Sequence, residues 1–445
     1  MANNTLHSIY FVGIGGIGMS ALARYYMRKG ISVSGYDLTR SPLTEQLERE
    51  GARIHYCDAP ELITDDIDLV IYTPAVPQSL NEMVAIRQKG IRMMKRAEAL
   101  GMISRNHFTI AVAGTHGKTS TTAMLTHIAT STHTDTTAFI GGIANNIESN
   151  IVLGGDDSLL IAEADEYDRS FLQLSPNISI ITSIDADHLD IYGDLEHLRD
   201  SFSTFASQTE GCVICHENAK IEGLRNMITY GTGDCDYRIG MAGYSNGRSS
   251  FSVSHHGTST HIELPAYGMH NVMNATAAFA AACEKGIEAN AIANALSTYK
   301  GVKRRLDVIV SNARHTYIDD YAHHPQEIKS SITAIREAFP DKKITVVFQP
   351  HLFSRTRDFA NEFAETLSLA DSVMLLDIYP AREKPIEGIS SRLLLDKITT
   401  GDKRLCENDE LLDTLEKLKP ELLLTMGAGN IDRFVEPIKK MISSW

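Results

Sequence analysis

The loop Gly114-Thr115-His116-Gly117-Lys118-Thr119 ends in the Gly-Lys-Thr of a phosphate-binding loop and follows the apolar run Thr109 to Ala113. In such a loop backbone amides surround phosphate oxygens, the lysine reaches the β and γ groups, and the threonine hydroxyl meets Mg2+. Lys118, Thr119 and the adjoining Ser120 are therefore candidate ligands of a nucleoside triphosphate and its metal. Val112 stands where the longer form of the motif has glycine. A second loop, Gly13-Ile14-Gly15-Gly16-Ile17-Gly18, fits G-x-G-x-x-G between a strand pattern and a helix pattern, with Asp37 at the end of the next strand pattern. Its glycines let the backbone approach a pyrophosphate at a helix N-terminus, and Asp37 is placed to accept from a ribose or a base. Taken alone, this loop reads as an NAD site. One chain thus carries two phosphate-binding loops in succession.

Carboxylates and histidines follow at the ends of further apolar runs. Glu163-Ala164-Asp165-Glu166 comes after Leu159 to Ala162, and Asp185-Ala186-Asp187-His188 after Ile178 to Ile181. Ligands of open α/β sheets sit beyond the carboxyl ends of strands, so both segments should face the same edge as Lys118, with hard oxygens suited to Mg2+. His270-Asn271-Val272-Met273-Asn274 leads into a helical pattern from Ala275 to Lys285. Asn271 and Asn274 either offer amides to a purine edge or cap that helix. Lys303-Arg304-Arg305 either reaches phosphate or is a solvated surface. Asp319-Asp320-Tyr321-Ala322-His323-His324-Pro325 and the run from Gln349 through His351 to Arg357 each follow a strand pattern and gather polar groups. No spacing among these histidines completes a closed metal site, while Arg355 suits a bidentate grip on carboxylate or phosphate. Cys212-Val213-Ile214-Cys215-His216 spells C-x-x-C-H, but no second C-x-x-C accompanies it. These residues read as a buried strand whose thiols act as small hydrophobes.

The elements that must carry these groups alternate between strand and helix patterns in three stretches, the signature of parallel α/β layers. The first holds strand Ile9 to Val12, a helix from Met19 to Arg28 closed by Gly30, strand Ile31 to Tyr36, and Leu69 to Tyr72 before the extended turn Thr73-Pro74-Ala75-Val76-Pro77. The second holds Thr109 to Ala113, Leu159 to Ala162 and Ile178 to Ile181. The third holds Thr316 to Ile318, Ile344 to Phe348, Val373 to Leu376 and Leu422 to Thr425. Boundaries near residues 106 and 312 give expected domains 1–105, 106–311 and 312–445.

The length of 445 residues agrees with about three domains at roughly 150 residues each. With 43% hydrophobic and 22% charged residues, the chain is neither disordered nor collagen-like nor a disulfide miniprotein. Its 42 Lys and Arg against 56 Asp and Glu give a net charge of −14, which argues against nucleic acid and anionic membranes as partners. No uncharged apolar run approaches the roughly 18 residues that span a bilayer. The start Met1 to His7 lacks the cationic segment of a secretory signal, and six cysteines in this length suggest thiols in a reducing compartment. A cytoplasmic location is therefore expected.

In this order, G-T-H-G-K-T, E-A-D-E, D-H, H-N-x-x-N, D-D-Y-A-H-H-P and Q-P-H-x-x-S-R-T resemble the Mur ligase family over nearly the whole chain. The shortened phosphate loop is that family's own form. The resemblance implies an N-terminal Rossmann-like domain for a UDP-sugar, a central P-loop α/β domain for ATP and a C-terminal Rossmann-like domain for an amino acid. It moves Gly13, Gly15, Gly16 and Gly18 from NAD to the UDP pyrophosphate, with Asp37 near the uridine and Thr73 and Pro74 in the same site. It implies that Gly114, Thr115, His116, Gly117, Lys118, Thr119 and Ser120 bind ATP, with Asn271, Asn274, Arg305 and Asp320 as further contacts. Thr119, Glu163 and His188 would hold Mg2+. Lys118, His188, His351 and Arg355 would be catalytic, and Tyr321, His323, His324 and Arg355 would line the amino-acid region.

The implied activity is ATP-driven ligation of L-alanine to UDP-N-acetylmuramate through an acyl phosphate, by a monomer or homodimer. Attachment of a murein tripeptide to the same sugar nucleotide is the alternative, and the G-I-G-G-I-G-M-S form of the first loop favours free alanine. Leu189 to Ser207 contains no lysine, where several members carry one that becomes carbamylated, and Leu352 stands where some alanine-adding members carry arginine. An NAD-dependent oxidoreductase would leave the second loop and the acidic segments without a purpose. A regulatory protein without catalysis would have no need of Lys118, Glu163 and His188.

Overall fold

The computed structural model describes residues 6–185, 192–219, 221–245, 247–381 and 383–445. The strand patterns assemble into three sheets. In the first, five parallel strands run in the order Arg53–His55, Ser32–Tyr36, Ser8–Val12, Leu69–Tyr72, Met93–Lys95. The chain steps outward to one side of Ser8–Val12 and then to the other, so the loop after that strand opens at the switch point where such sheets hold ligands. Ile9 and Phe11 enter one apolar cluster, and Tyr10 and Val12 another. A strand covered on both faces needs such an unbroken apolar run. The helix Ile17–Arg28 begins inside the glycine loop, earlier than the expected Met19. It ends where Gly30 was expected to close it: the Gly30 N–H bonds Met27 O at 2.9 Å and the Ile31 N–H bonds Tyr26 O at 3.1 Å.

In the second sheet, Thr109–Ala113 lies between Leu159–Glu163 and Ile178–Ile181, all parallel, with Val112 opposite Glu163 and Ala113 opposite Ile181. The phosphate loop, the segment from Glu163 to Glu166 and the residues Thr182 to Asp185 therefore leave one sheet edge side by side. Thr136–Ala144 and Ser149–Val152 extend the sheet beyond Leu159–Glu163. On the other side follow Cys212–His216, Met227–Gly231 and Tyr237–Ile239. The C-x-x-C-H run is thus strand, its thiols are free, and burial pushes Cys212 up to about 11 and Cys215 to about 12. The helix expected from Ala275 starts at Met269 and runs to Glu284, so Asn271 and Asn274 are helical residues, and the reading of either as that helix's cap is corrected.

The third sheet has the order Asp307–Ser311, Thr316–Asp320, Leu422–Met426, Ile344–Phe348, Ser372–Leu375, Asp402–Leu405. It is parallel except for its first pair.

The chain forms two compact units, one of Met1–Gly240, Val253–Thr260 and Asn274–Leu296, the other of Met241–Ser252, His261–Met273 and Ser297–Trp445. Within the first unit, Arg24 is buried and joins two sheets. It bonds Glu50 at 2.6 Å and Asn150 Oδ1 at 2.7 Å, while the Asn150 amide donates to Ile17 O at 2.6 Å. No helix among the described residues is long and apolar enough to cross a membrane.

Gly35 faces Phe11 in register, and a Cβ there would lie 2.4 Å from the Phe11 carbonyl oxygen. Because backbone is the obstacle, Gly35→Ala is expected to lower stability by about 1–3 kcal/mol. Thermal unfolding checks this, and an unchanged midpoint would contradict it.

Candidate functional site

The first loop is shaped from within. Gly13 and Ile14 donate to Tyr36 O at 2.8 and 3.1 Å. Asp37 accepts from the Gly15 N–H at 2.7 Å with one oxygen and from the Thr39 N–H at 3.1 Å with the other. The residue expected beside a ribose or base thus also builds the loop. A Cβ on Gly13 would stand 2.9 Å from Thr73 Cγ2, on Gly15 2.7 Å from Thr44 Cγ2, and on Gly18 2.8 Å from Arg96 Nη1. Thr73 closes on the loop, with Pro74 exposed beside it. Thr44 and Arg96 join it without any signal in the spacing. The helix Ile17–Arg28 has no side-chain cap and no acidic residue in its first turn, so its partial positive charge is left for an anion.

The second loop is tighter. Gly114 and Gly117 have φ of +135° and +82°. A Cβ on Gly114 would lie 2.0 Å from Thr182 Oγ1, and on Gly117 2.4 Å from Asn274 Oδ1. Asn274 therefore sits against the phosphate loop. Thr115 donates its N–H to Ser183 O at 3.1 Å and His116 its N–H to Ser183 Oγ at 3.0 Å, while Thr115 Oγ1 accepts from the Asp185 N–H at 3.1 Å. Ser120 lies in the first turn of the helix Lys118–Ser131.

The Lys118 ammonium donates to Gly114 O at 2.7 Å and to Glu166 Oε1 at 2.9 Å, and lies 2.7 Å from Glu166 Oε2. Burial alone would depress this ammonium, but the Glu166 and Asp165 carboxylates outweigh burial and keep it charged. The Thr119 hydroxyl donates to Glu163 Oε1 at 3.0 Å, and Glu163 Oε2 accepts from the Gly141 N–H at 2.8 Å. A hydroxyl and a carboxylate in contact at the end of a phosphate loop fit Mg2+, which takes its other oxygens from water and substrate. Among the described residues no group of three or more His, Cys, Asp and Glu is placed to hold a metal. His188, expected as a metal ligand and catalytic group, lies outside the described residues.

In the second unit, Asp320 ends the strand Thr316–Asp320, buried, with the Ser331 hydroxyl donating to it. The Tyr321 ring faces the guanidinium groups of Arg304 and Arg305 at 5.1 and 5.2 Å. The His323 ring stands 5.2 Å from Tyr321 and 5.9 Å from His351, which lies 5.8 Å from Tyr379. Burial, then the charges of His323 and Arg355, push His351 down to about 4, so its imidazole is neutral at pH 7. Burial also lowers His323, against the pull of Glu327. Two buried atoms here, His351 Nδ1 and Arg355 Nη1, have no hydrogen-bond partner among the described residues. An unsatisfied buried polar group costs about 1–3 kcal/mol and more when charged, so the cluster is arranged to receive a ligand, one with an anionic acceptor for Arg355.

The turn that aims these groups is strained. Leu352, between His351 and the helix Phe353–Asp358, has φ +71°, and its N–H donates to Tyr379 O at 3.0 Å. His324 caps the helix Pro325–Ala338 by accepting from the Gln326 N–H at 3.4 Å, while Glu327 accepts from the amides of His323 and His324. The Asn271 amide is turned to Tyr267 O at 2.8 Å. Glu166 stood inside the E-A-D-E run without a role of its own; a carboxylate at the end of a strand beside the phosphate loop was the signal. Tyr379 and Glu383, which accepts from the Ser354 N–H at 2.9 Å, carried none.

Residues 8–108 match the catalytic domain of the Mur ligase family, 112–282 the Mur ligase middle domain and 304–429 the Mur ligase glutamate ligase domain. A curated UDP-N-acetylmuramate–L-alanine ligase of Cytophaga hutchinsonii is 47% identical over 451 residues, covering 98% of this chain and 96% of that protein. The crystal structure of UDP-N-acetylmuramate-alanine ligase from Thermotoga maritima matches with a TM-score of 0.84 at 30% identity, over 98% of this chain and 100% of that one. A murein peptide ligase from Psychrobacter arcticus matches with a TM-score of 0.73 at 22% identity, over 99% of each chain, a likeness of fold alone.

Burial pushes Asp320 up from 3.8 to about 6, against the Ser331 bond and the Arg305 charge. Because its folded value exceeds the unfolded one, its stabilising contribution is whole below about 3.8 and is lost as pH rises through about 6. Asp320→Asn is therefore expected to stabilise the fold at pH 7.5 by about 3 kcal/mol. The gain should shrink on acidification from pH 6 towards pH 4. Thermal unfolding of both proteins across that range checks it, and a difference independent of pH would contradict it.

Proposed function

This chain belongs to the Mur ligase family, and we infer that it joins L-alanine to UDP-N-acetylmuramate at the expense of ATP. The observation that carries the reading is the pairing of Lys118 with Glu166 and of Thr119 with Glu163 at one sheet edge, in a chain nearly half identical to an alanine ligase over its whole length. Residues 1–105 take the UDP-sugar, 106–311 take ATP and 312–445 take the amino acid. The enzyme works in the cytoplasm, as a monomer or homodimer.

A carboxylate is too poor an electrophile for an amine at neutral pH. An oxygen of the lactyl carboxylate attacks the γ-phosphorus of ATP, ADP leaves, and an acyl phosphate results. The alanine amine then attacks the carbonyl carbon, the tetrahedral intermediate expels inorganic phosphate, and the amine loses its proton as the amide forms. Lys118 meets the charge that builds on the transferring phosphoryl group, in a site where burial strengthens its field. The loop amides from Gly114 to Thr119 orient the phosphates, with Asn274 beside them. Thr119 and Glu163, with His188, would hold Mg2+, whose charge offsets repulsion between phosphate oxygens. In the amino-acid region, Arg355 offers an unpaired N–H to the alanine carboxylate. His351, neutral and with an unbonded Nδ1, is suited to hydrogen-bond the incoming amine and orient it towards the carbonyl carbon. Arg305, Asp320 and Asn271 serve the nucleotide.

Purified protein with UDP-N-acetylmuramate, ATP and Mg2+ is expected to release phosphate on addition of L-alanine, and Lys118→Ala to slow this by at least about 100-fold, roughly 2.7 kcal/mol. Phosphate release with murein tripeptide but not with alanine would overturn the choice of acceptor. A Lys118→Ala rate within about tenfold of the parent would overturn the role of Lys118.

A further inference from the structure

Arg96 opens the helix Arg96–Ser104, directly after the last strand of the first sheet. Its Nη2 donates to Asp165 at 3.0 Å, and its Nη1 lies 2.8 Å from the place a Cβ of Gly18 would take. The guanidinium thus covers the last glycine of the first loop while holding the segment that governs the second. Asp165 stands between Glu163, which holds Thr119, and Glu166, which holds Lys118.

That segment is also under strain. Two successive non-glycine residues, Asp168 and Arg169, have φ of 53° and 55°, a conformation that persists only where its surroundings impose it. Lys95, the residue before Arg96, reaches Asp168 at 2.9 Å, but that pair is close to half exposed on both sides. Two neighbouring cations of the first sheet therefore grip the acidic segment, and Arg96 is the one that faces a nucleotide loop.

We propose that Arg96 couples the two nucleotide sites, holding Asp165 with one nitrogen and taking an anionic oxygen of the bound sugar nucleotide with the other. The planar fork of a guanidinium spans two acceptors in fixed geometry, which an ammonium does not. Filling the first loop fixes Arg96, Arg96 fixes Asp165, and the flanking carboxylates then hold Lys118 and Thr119 in the arrangement that receives ATP. By linkage ATP favours the sugar nucleotide by the same factor. The proposal rests on the reading of the first loop as a UDP-sugar site.

The test is the dissociation constant of a non-hydrolysable ATP analogue with Mg2+, measured by calorimetry with and without saturating UDP-N-acetylmuramate, and the reverse titration. In the parent protein each ligand should tighten the other at least about fivefold, and in Arg96→Gln, Arg96→Lys and Asp165→Asn that ratio should fall to within about twofold of unity. Retained binding of the ATP analogue alone shows that each variant is folded. Lys95→Gln removes an equal charge from the same segment and should keep the parent ratio. Independent binding in the parent, full coupling in Arg96→Gln, or equal loss in Lys95→Gln would each overturn the proposal. A parent protein that does not bind UDP-N-acetylmuramate would remove the reading of the first loop as well, whereas one that binds both ligands independently removes the coupling alone.

Discussion

A buried ammonium is stable only where carboxylates replace the water it has lost, and Lys118 meets that condition through Glu166. Desolvating either ion alone costs several kcal/mol, so the pair forms only if the fold brings both to one point. The strand order does this. Thr109–Ala113 carries the phosphate loop, its neighbour Leu159–Glu163 carries the acidic segment, and their parallel register sets Glu163 beside Val112. Beyond the other neighbour, Ile178–Ile181, Ser183 accepts from the His116 N–H and the Asp185 N–H donates to the Thr115 hydroxyl, which braces the loop. Until phosphate arrives, Lys118 is held by groups that phosphate oxygens can replace: a carbonyl and a carboxylate.

The polar groups of the third sheet follow another logic. His324 and Glu327 are satisfied and close a helix end. Arg355 and His351 each keep a buried nitrogen without a partner, at a turn that bends through the unfavourable backbone of Leu352. Unsatisfied groups on a strained turn persist where a ligand completes them, and satisfied ones do the work of architecture. In the first sheet Asp37 does architectural work, because its two carboxylate oxygens accept from the Gly15 and Thr39 amides and shape the loop.

Much of this was legible in the residue order. Buried parallel strands such as Ile9 to Val12 and Leu422 to Thr425 are short apolar runs bounded by glycine and polar residues, and they fold where those runs lie. The phosphate loops declare themselves because close backbone approach demands glycine. What escaped lacks such a pattern. The start of the helix Met269–Glu284 is masked by two asparagines and a valine, residues of middling helix propensity. In the strand Arg248–His255 the buried side alternates Ser249, Phe251 and Val253, so a serine breaks the apolar signal. Arg96, Tyr379 and Glu383 reach their places through tertiary packing, which spacing along the chain does not encode.

The proposed ligation depends on activating a carboxylate by moving a phosphoryl group onto it. UDP-N-acetylmuramate labelled with 18O in its lactyl carboxylate tests this directly, by mass analysis of the phosphate released during ligation. Transfer of one labelled oxygen from each carboxylate to phosphate is the result expected. Phosphate free of label, with all 18O outside it, would contradict an acyl phosphate and the account built on it.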